Sequence, residues 1–409
     1  MAKRYDAIVV GARCAGAPTA MLLARRKHRV LLVDKATFPS DTLSTHVIHP
    51  PGVAALERWG LTEALQKSGC PPFREYALDF GPFTVAGPVR PVNGVGYAIC
   101  PRRTVLDPLL MRAARKAGVE VREGFTVDNL VVENGTVVGI RGHPKDGGPV
   151  EHRARVVVGA DGPHSLVAKA VRAERYNEQP TLSVAHYAYW RGLPVERFEG
   201  YVRPRCAFAF APTNDGWTMG VVNWPRADFE VNRGDVEGHF TRAVETAPAL
   251  HARFRQAKRE TRFLGAPDLP NFFRKPYGPG WVLVGDAGYH KDPITAQGIS
   301  DAFRDAEAMA AALHEVFTAR RSFDEALARY QRARDEAAFP MFALTCQLAN
   351  LAEPLPADLV RLLEAMQGNR EAMTDFISTL AGVMPAPQFF AEKNVARIMA
   401  QASARKAPA

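Results

Sequence analysis

Apolar and polar positions follow two regimes along the chain. In the first, short continuous apolar runs end in glycine or an acid. Residues 5–10, Tyr-Asp-Ala-Ile-Val-Val, form such a run, the pattern of a strand buried on both faces in a parallel sheet. A helical segment starts at Pro18, and residues 29–34, Arg-Val-Leu-Leu-Val-Asp, make a second buried strand ending in an acid. The spacing predicts one βαβ unit within about thirty residues. Helices are predicted near 52–68 and 104–117, and strands over 119–122, 127–133 and 136–141. Two more buried strands, 155–161 and 281–286, also end in Asp.

The second regime occupies the middle of the chain. Residues 181–190 alternate and are aromatic. Residues 206–224 read as a hairpin turning at Asn214-Asp215-Gly216, because Asp-Gly suits the tight turns that match strand twist. This predicts an antiparallel sheet with one aromatic face. From Gly298 to about 350 the pattern is helical and Ala-rich, with Pro340 and Pro354-Leu-Pro356 predicted to interrupt it. The tail to 409 is expected to be helical with a frayed basic end. The fold class is therefore α/β: a Rossmann-like domain, an inserted antiparallel β-sheet and a helical C-terminal region.

Composition removes several functional classes. With 47% hydrophobic and 23% charged residues over 409 positions, the chain has the makeup of an ordinary folded protein. The net charge of +9 is not spread out. Residues 1–60 carry +5 and residues 391–409 carry +3, leaving +1 for the rest. Without a basic stripe, no nucleic-acid partner is expected. No apolar run approaches the ~18 residues of a membrane span. The N-terminus enters a strand-like run at once, so no signal peptide is expected. Five scattered cysteines without a CxxC pair suggest neither zinc nor disulfides, but reduced thiols in a cytoplasmic protein.

The first βα turn reads Gly11-Ala12-Arg13-Cys14-Ala15-Gly16. The dinucleotide fingerprint is GxGxxG, and Arg13 replaces its middle glycine. The outer glycines allow the tight turn and close helix packing. Arg13 offers a guanidinium near the phosphates instead of a close backbone approach. The helix N-terminus still presents free N–H groups and the positive end of its dipole. Asp34 lies 18 residues after Gly16, near the spacing of the acid that bonds a ribose hydroxyl. Farther along, Gly285-Asp286-Ala287-Gly288 closes a strand, and Gln297-Gly298 opens a long helix. A strand-end acid followed by a helix N-terminus can hold a polyhydroxyl chain and a polar ring edge. A nicotinamide dinucleotide does not need this second site, whereas a flavin dinucleotide does.

With Arg103-Thr-Val-Leu-Asp-Pro-Leu-Leu110, Asp161-Gly162 and the stretch from Gly285-Asp286 through Pro293 to Gly298 in this order, the chain resembles a known family. It looks like the single-component flavoprotein monooxygenases of the para-hydroxybenzoate hydroxylase fold, over roughly residues 5–340. That superfamily also holds flavin halogenases and geranylgeranyl reductases. The resemblance implies an FAD-binding domain over 1–175 and 275–340, a mainly antiparallel substrate domain over 176–274, and a helical region over 341–409. It implies that residues 11–16 (Gly11, Ala12, Arg13, Cys14, Ala15 and Gly16) hold the FAD pyrophosphate. Asp34 would bind the adenosine ribose beside Lys35, and Val127 would meet the adenine. Arg103 would lie on the flavin side, with Asp286 on the ribityl chain. Pro293, Ala296, Gly298 and Ile299 would sit at the pyrimidine edge. Asp161 and Gly162 are associated with both FAD and NAD(P)H.

The chemistry implied is oxygen activation by reduced flavin, with NAD(P)H or a partner reductase as electron source and an aromatic or apolar substrate. The flavin performs the electron and oxygen chemistry, so no amino-acid nucleophile is required. His46 and His49, in the loop after the second strand, and His290 are candidate acid/base groups or flavin contacts. Tyr187, Tyr189, Phe208, Phe210 and Trp224 are candidates for an aromatic substrate pocket. The Trp-x-Trp-x-Ile-Pro halogenase signature is missing, Val222-Asn-Trp-Pro225 being the nearest segment. A reductase of the geranylgeranyl type is the alternative, and a non-enzymatic flavin-binding protein is less expected. Residues 341–409 admit three roles: a cover for the site, a homodimer contact or a membrane-surface contact.

Overall fold

Buried β-branched runs build the central layer. In the computed structural model, which describes residues 4–42 and 44–406, strand Arg4–Val10 lies between Val30–Val33 and Val150–Gly159, parallel to both. Glu120–Arg122 extends the sheet on one side and Trp281–Leu283 on the other, again in parallel. Residues 1–3 and 407–409, the latter ending the basic tail, lie outside the described set. An antiparallel hairpin, Phe125–Glu133 with Thr136–Pro144, joins the early half of Val150–Gly159. The sheet is covered by helices Gly16–Arg25, Arg103–Lys116 and Gly298–Phe317. Helix Gly16–Arg25 is buried at nine of its ten positions, as expected of an element packed between a sheet and a second helix.

The second sheet has eight strands. Its centre is Ser183–Arg191, Thr218–Pro225, Cys206–Pro212 and Phe198–Arg203, paired antiparallel. The turn falls where the sequence placed it: Asp215 and Gly216 have φ of +64° and +68°. Two features depart from the sequence expectation. Strands Glu75–Asp79 and Thr84–Pro88 belong to this sheet, so it draws on chain outside 176–274. Glu75–Asp79 also pairs in parallel with Phe198–Arg203, so the sheet is not purely antiparallel.

The helical region also departs from expectation at one proline. Helix Phe323–Ala349 runs through Pro340 without a break. Proline costs a helix one N–H bond and a steric clash. Ala338 and Phe342, on either side of it, are buried in one cluster with Phe273 and Tyr289, and this anchoring holds the turn in register. Helices Ala357–Ala365, Arg370–Leu380, Ala386–Phe389 and Glu392–Lys406 follow. They pack on the inner face of the second sheet, where Leu363, Phe376, Ile377 and Phe389 share a core with Tyr76, Tyr187 and Tyr189.

Candidate functional site

The first βα turn is closed by its two glycines. Gly11 has φ of +99°, and a Cβ there would lie 2.4 Å from the Ala160 carbonyl oxygen. A Cβ on Gly16 would lie 1.8 Å from the Gly11 oxygen. No larger residue fits either place. Arg13 sends its side chain away from this contact. Its guanidinium bonds the Asp107 carboxylate at 2.5 Å and the Ser40 hydroxyl at 2.9 Å, and lies over the Phe38 ring. Arg103 grips the same buried carboxylate through two hydrogen bonds, at 3.0 and 3.1 Å. The Cys14 thiol also points at Asp107, and burial pushes that thiol up to about 12. The guanidinium of Arg13 is thus committed to Asp107 and the 38–41 loop rather than standing free at the turn.

What the turn offers an anion is backbone. Ala17 N–H bonds Arg13 and Thr19 N–H bonds Ala15. The N–H groups of Arg13, Cys14, Ala15 and Gly16 make no hydrogen bond among the described residues. Asp34 closes the turn by accepting from Ala12 N–H at 2.7 Å and Ala36 N–H at 2.8 Å. Lys35 beside it is exposed. Phe125 N–H bonds the Asp34 carbonyl, which places Val127 near this acid. The ladder slips between Val127 and Asn129.

The second half of the site is seated on the first. Gly285 has φ of +60°, and a Cβ there would lie 2.7 Å from Ala15 Cβ. Asp286 therefore stands at the N-terminus of helix Gly16–Arg25, half-buried, where its charge acts on Arg103. Pro293–Thr295 forms a short helical turn, Ala296 takes φ of +52°, and helix Gly298–Phe317 begins. The N–H groups of Gln297, Gly298, Ile299 and Ser300 make no hydrogen bond among the described residues. Ser300 Oγ is buried without a hydrogen-bond partner among the described residues, and nothing crowds Gly298 among them. Gly285, close to both Ala15 and Ala302, brings the two clusters of N–H groups and Asp286 into one neighbourhood, with Asp34 beside the first cluster. These donors suit a pyrophosphate and a polar ring edge, and the carboxylates suit hydroxyl groups. The set fits FAD. Asp161 takes another part: it accepts from Ser165 Oγ and from Leu166 N–H, capping a short helix. Gly162 turns the chain beside it at φ of +82°.

The three histidines separate. His49 is buried between the second sheet and the 293–296 turn. Its Nε2 lies 3.2 Å from the Thr295 carbonyl, which can only accept, so Nε2 carries the proton. Its Nδ1 therefore accepts from the Tyr76 hydroxyl at 3.0 Å. Burial pushes the His49 imidazole down to about 4. His46 is also fully buried, at φ of +62°. Its Nε2 meets the Tyr189 hydroxyl at 2.8 Å and its ring lies 5.2 Å from that of Tyr187. Burial, then the Arg103 charge, pushes it down to about 3, and its Nδ1 has no partner among the described residues. Both rings are neutral at pH 7. His290 donates from Nδ1 to the Pro270 carbonyl in a separate three-stranded sheet and does not line the cavity described next.

Between the second sheet, the 293–296 turn and the C-terminal helices lies a cavity of about 830 Å³. Its sheet wall is mostly small or aliphatic: Gly200, Ala207, Ala209, Met219, Val221 and Asn223. The period-two rule placed Phe208 and Phe210 on one face, but that face is the outer one. Phe210 and Trp224 pack against helices Val236–Glu245 and Pro248–Phe254 instead of lining the pocket. Phe208 stacks on Tyr201 and reaches only the cavity's edge. Tyr187 and Tyr189 do face inward, where they surround His46 rather than the cavity. Sequence reasoning missed Tyr76, Asn223 and Thr295, and it left a cover for the site as one of three roles for 341–409, where residues between 346 and 381 line the cavity. None of these has a local signal, because distant strands and helices bring them together.

Residues 4–344 match the family model described as "FAD binding domain". The 6-methylpretetramide 4-monooxygenase of Streptomyces rimosus is 27% identical over 74% of this chain and 73% of its own. The digeranylgeranylglycerophospholipid reductase of Methanocella arvoryzae is 27% identical over 74% and 75%. Among solved structures, the myxobacterial chondrochloren halogenase CndH superposes with a TM-score of 0.79 at 22% identity, covering 100% of this chain and 98% of its own. Matched over residues 4–344, this chain belongs to the FAD binding domain family.

Proposed function

We propose that the protein is an FAD-dependent monooxygenase that hydroxylates or epoxidises a large, mostly apolar small molecule, using NAD(P)H and O2. The observation that carries this reading is the cavity of about 830 Å³ bounded by the Pro293–Ala296 turn. It adjoins the helix N-terminus suited to the flavin's polar edge, and it exceeds what a single aromatic ring fills. FAD supplies the electron transfer and oxygen activation when bound. The chain positions the reactants and offers a chamber lined mostly by apolar side chains. His49 ties the turn to the sheet as a neutral, doubly bonded imidazole, so it holds geometry and does not act as a base. Beside His46, Thr45 and Val47 line the cavity.

The same cavity would also suit an isoprenoid chain, which keeps the reductase reading in play. Halogenation is a third reading: halogenases stand among the similar proteins, although the tryptophan signature is missing from the sequence. One experiment separates the three. Purified holoprotein is given NAD(P)H, ¹⁸O₂ and a panel of polycyclic phenols and polyprenyl compounds, with and without bromide. Substrate-stimulated NAD(P)H oxidation with ¹⁸O in the product is expected. Anaerobic alkene reduction assigns the reductase instead, and bromide-dependent halogenated product assigns the halogenase.

A further inference from the structure

A buried chain of hydrogen bonds runs from the 293–296 turn to the cavity wall. The Asp292 carboxylate, 1% exposed, accepts from Ser183 Oγ at 2.6 Å and from Ile294 N–H at 3.0 Å. Ser183 Oγ in turn contacts Asn223 Nδ2 at 3.3 Å. The polarity of this chain is fixed by its ends. A carboxylate accepts only, so the Ser183 hydroxyl proton points to Asp292. The Ser183 oxygen must then accept from Asn223, which turns the amide nitrogen toward Ser183. The amide oxygen faces the other way and makes no hydrogen bond among the described residues. Asn223 lines the cavity between aliphatic neighbours Ala207 and Val221.

Of the other polar groups of the lining, Gln179, Gln347, Asn350 and Glu353 stand at exposed positions, and the buried ones are already used. His49 and Tyr76 bond each other. Arg203 is paired with Asp79, and Arg205, at the rim, with Asp228. Asn223, 4% exposed, is thus the buried, oriented acceptor of the inner sheet wall, and the two arginines of the lining are both paired, so no free cation there receives an anion. We propose that Asn223 determines specificity: the cavity takes a large neutral apolar molecule that donates one hydrogen bond, from a hydroxyl or N–H, to the Asn223 amide oxygen. Ser183 and Asp292 act as positioning residues that hold the amide in this sense. A site built around one buried acceptor rejects an analogue without the donor, because the acceptor is then left unpaired.

This inference rests on the cavity being the substrate site, and the test separates the two. Binding of pyrene, 1-hydroxypyrene and 1-pyrenecarboxylate to the holoprotein is followed by fluorescence at pH 7.5. The expected result is 1-hydroxypyrene binding about tenfold tighter than pyrene, and the carboxylate weakest. In Asn223→Leu the hydroxyl preference falls to near unity while pyrene affinity stays within about twofold. In Ser183→Ala it falls part-way. Asn223→Ser, which keeps a small polar group, guards against a folding defect, and flavin content and thermal midpoint are read for every variant. Pyrene binding without hydroxyl preference, or a preference that survives Asn223→Leu, overturns the inference and leaves the cavity reading intact. Failure of all three probes to bind overturns both.

Discussion

His49 donates its Nε2 proton to the carbonyl of Thr295 across 3.2 Å. That bond joins the loop after the second strand to the turn that opens the long helix. Since Nδ1 is also occupied, by Tyr76, the ring works as a strut. His49→Leu should therefore loosen the turn and lower FAD affinity by about tenfold or more, while His49→Gln, able to donate to Thr295, should recover most of it. Flavin retention on gel filtration and FAD titration of apoprotein check this.

The buried histidines also set an acid limit. His46 and His49 are held down to about 3 and about 4 by burial, below the ordinary value near 6.5. The unfolded chain binds protons at these rings that the folded chain refuses, so stability falls as pH drops from about 6.5 toward 4. Each ring's share is of order 3 kcal/mol at full shift. Urea unfolding from pH 7 to pH 4.5 should show this slope, and His46→Gln or His49→Gln should flatten it.

Asp292 acts with the opposite sign. Burial lifts its carboxyl to about 6, above its unfolded value. Its contribution is complete below the unfolded pKa and is lost as pH rises through about 6. The stability of Asp292→Asn relative to wild type should improve by about 3 kcal/mol between pH 4 and pH 8. A difference that stays constant across this range would show that Asp292 is not buried as described.

Asp107 and Arg13 should not be equivalent. Removing Arg13 leaves Asp107 still gripped twice by Arg103. Removing Asp107 leaves the buried Arg103 guanidinium without its carboxylate, and the partly exposed Arg13 guanidinium beside it. Asp107→Ala should cost about 3–5 kcal/mol, and Arg13→Ala about 1 kcal/mol. Chemical denaturation measures both. Arg13→Gly, which restores the usual glycine pattern, should leave FAD binding within a few fold.

Gly16 allows a simpler test. A Cβ placed 1.8 Å from the Gly11 oxygen has no room to relax against backbone. Gly16→Ala should yield protein without bound flavin or no soluble protein. Gly60→Ala, at a helix end in open space, should cost only about 1 kcal/mol through its positive φ.

The cofactor half of the site was legible in the sequence because it is local. Gly11, Gly16 and Asp34 fall within one βαβ unit, and Asp286 and Gly298 within one strand–turn–helix. Their meaning depends on residues a few positions away. The cavity was not legible for the opposite reason. Periodicity shows that Phe208 and Phe210 share a face, but which face meets the cavity depends on helices Val236–Glu245 and Pro248–Phe254 covering the other side. The parallel partner of Phe198–Arg203 lies more than a hundred residues earlier, at Glu75–Asp79. Pro340 misled because local helix cost was outweighed by anchoring at Ala338 and Phe342.

The inward row of Ala207, Ala209 and Gly200 has a consequence for how such a protein can change. The void exists because side chains are short there, while the strands beneath are fixed by unbroken ladders. Its volume can be altered one residue at a time without moving the backbone or touching the FAD groove. Ala209→Phe would divide the chamber, and Val221→Ala would widen it. On the proposed function, the molecule the cavity accepts can drift during evolution independently of the residues proposed to hold FAD.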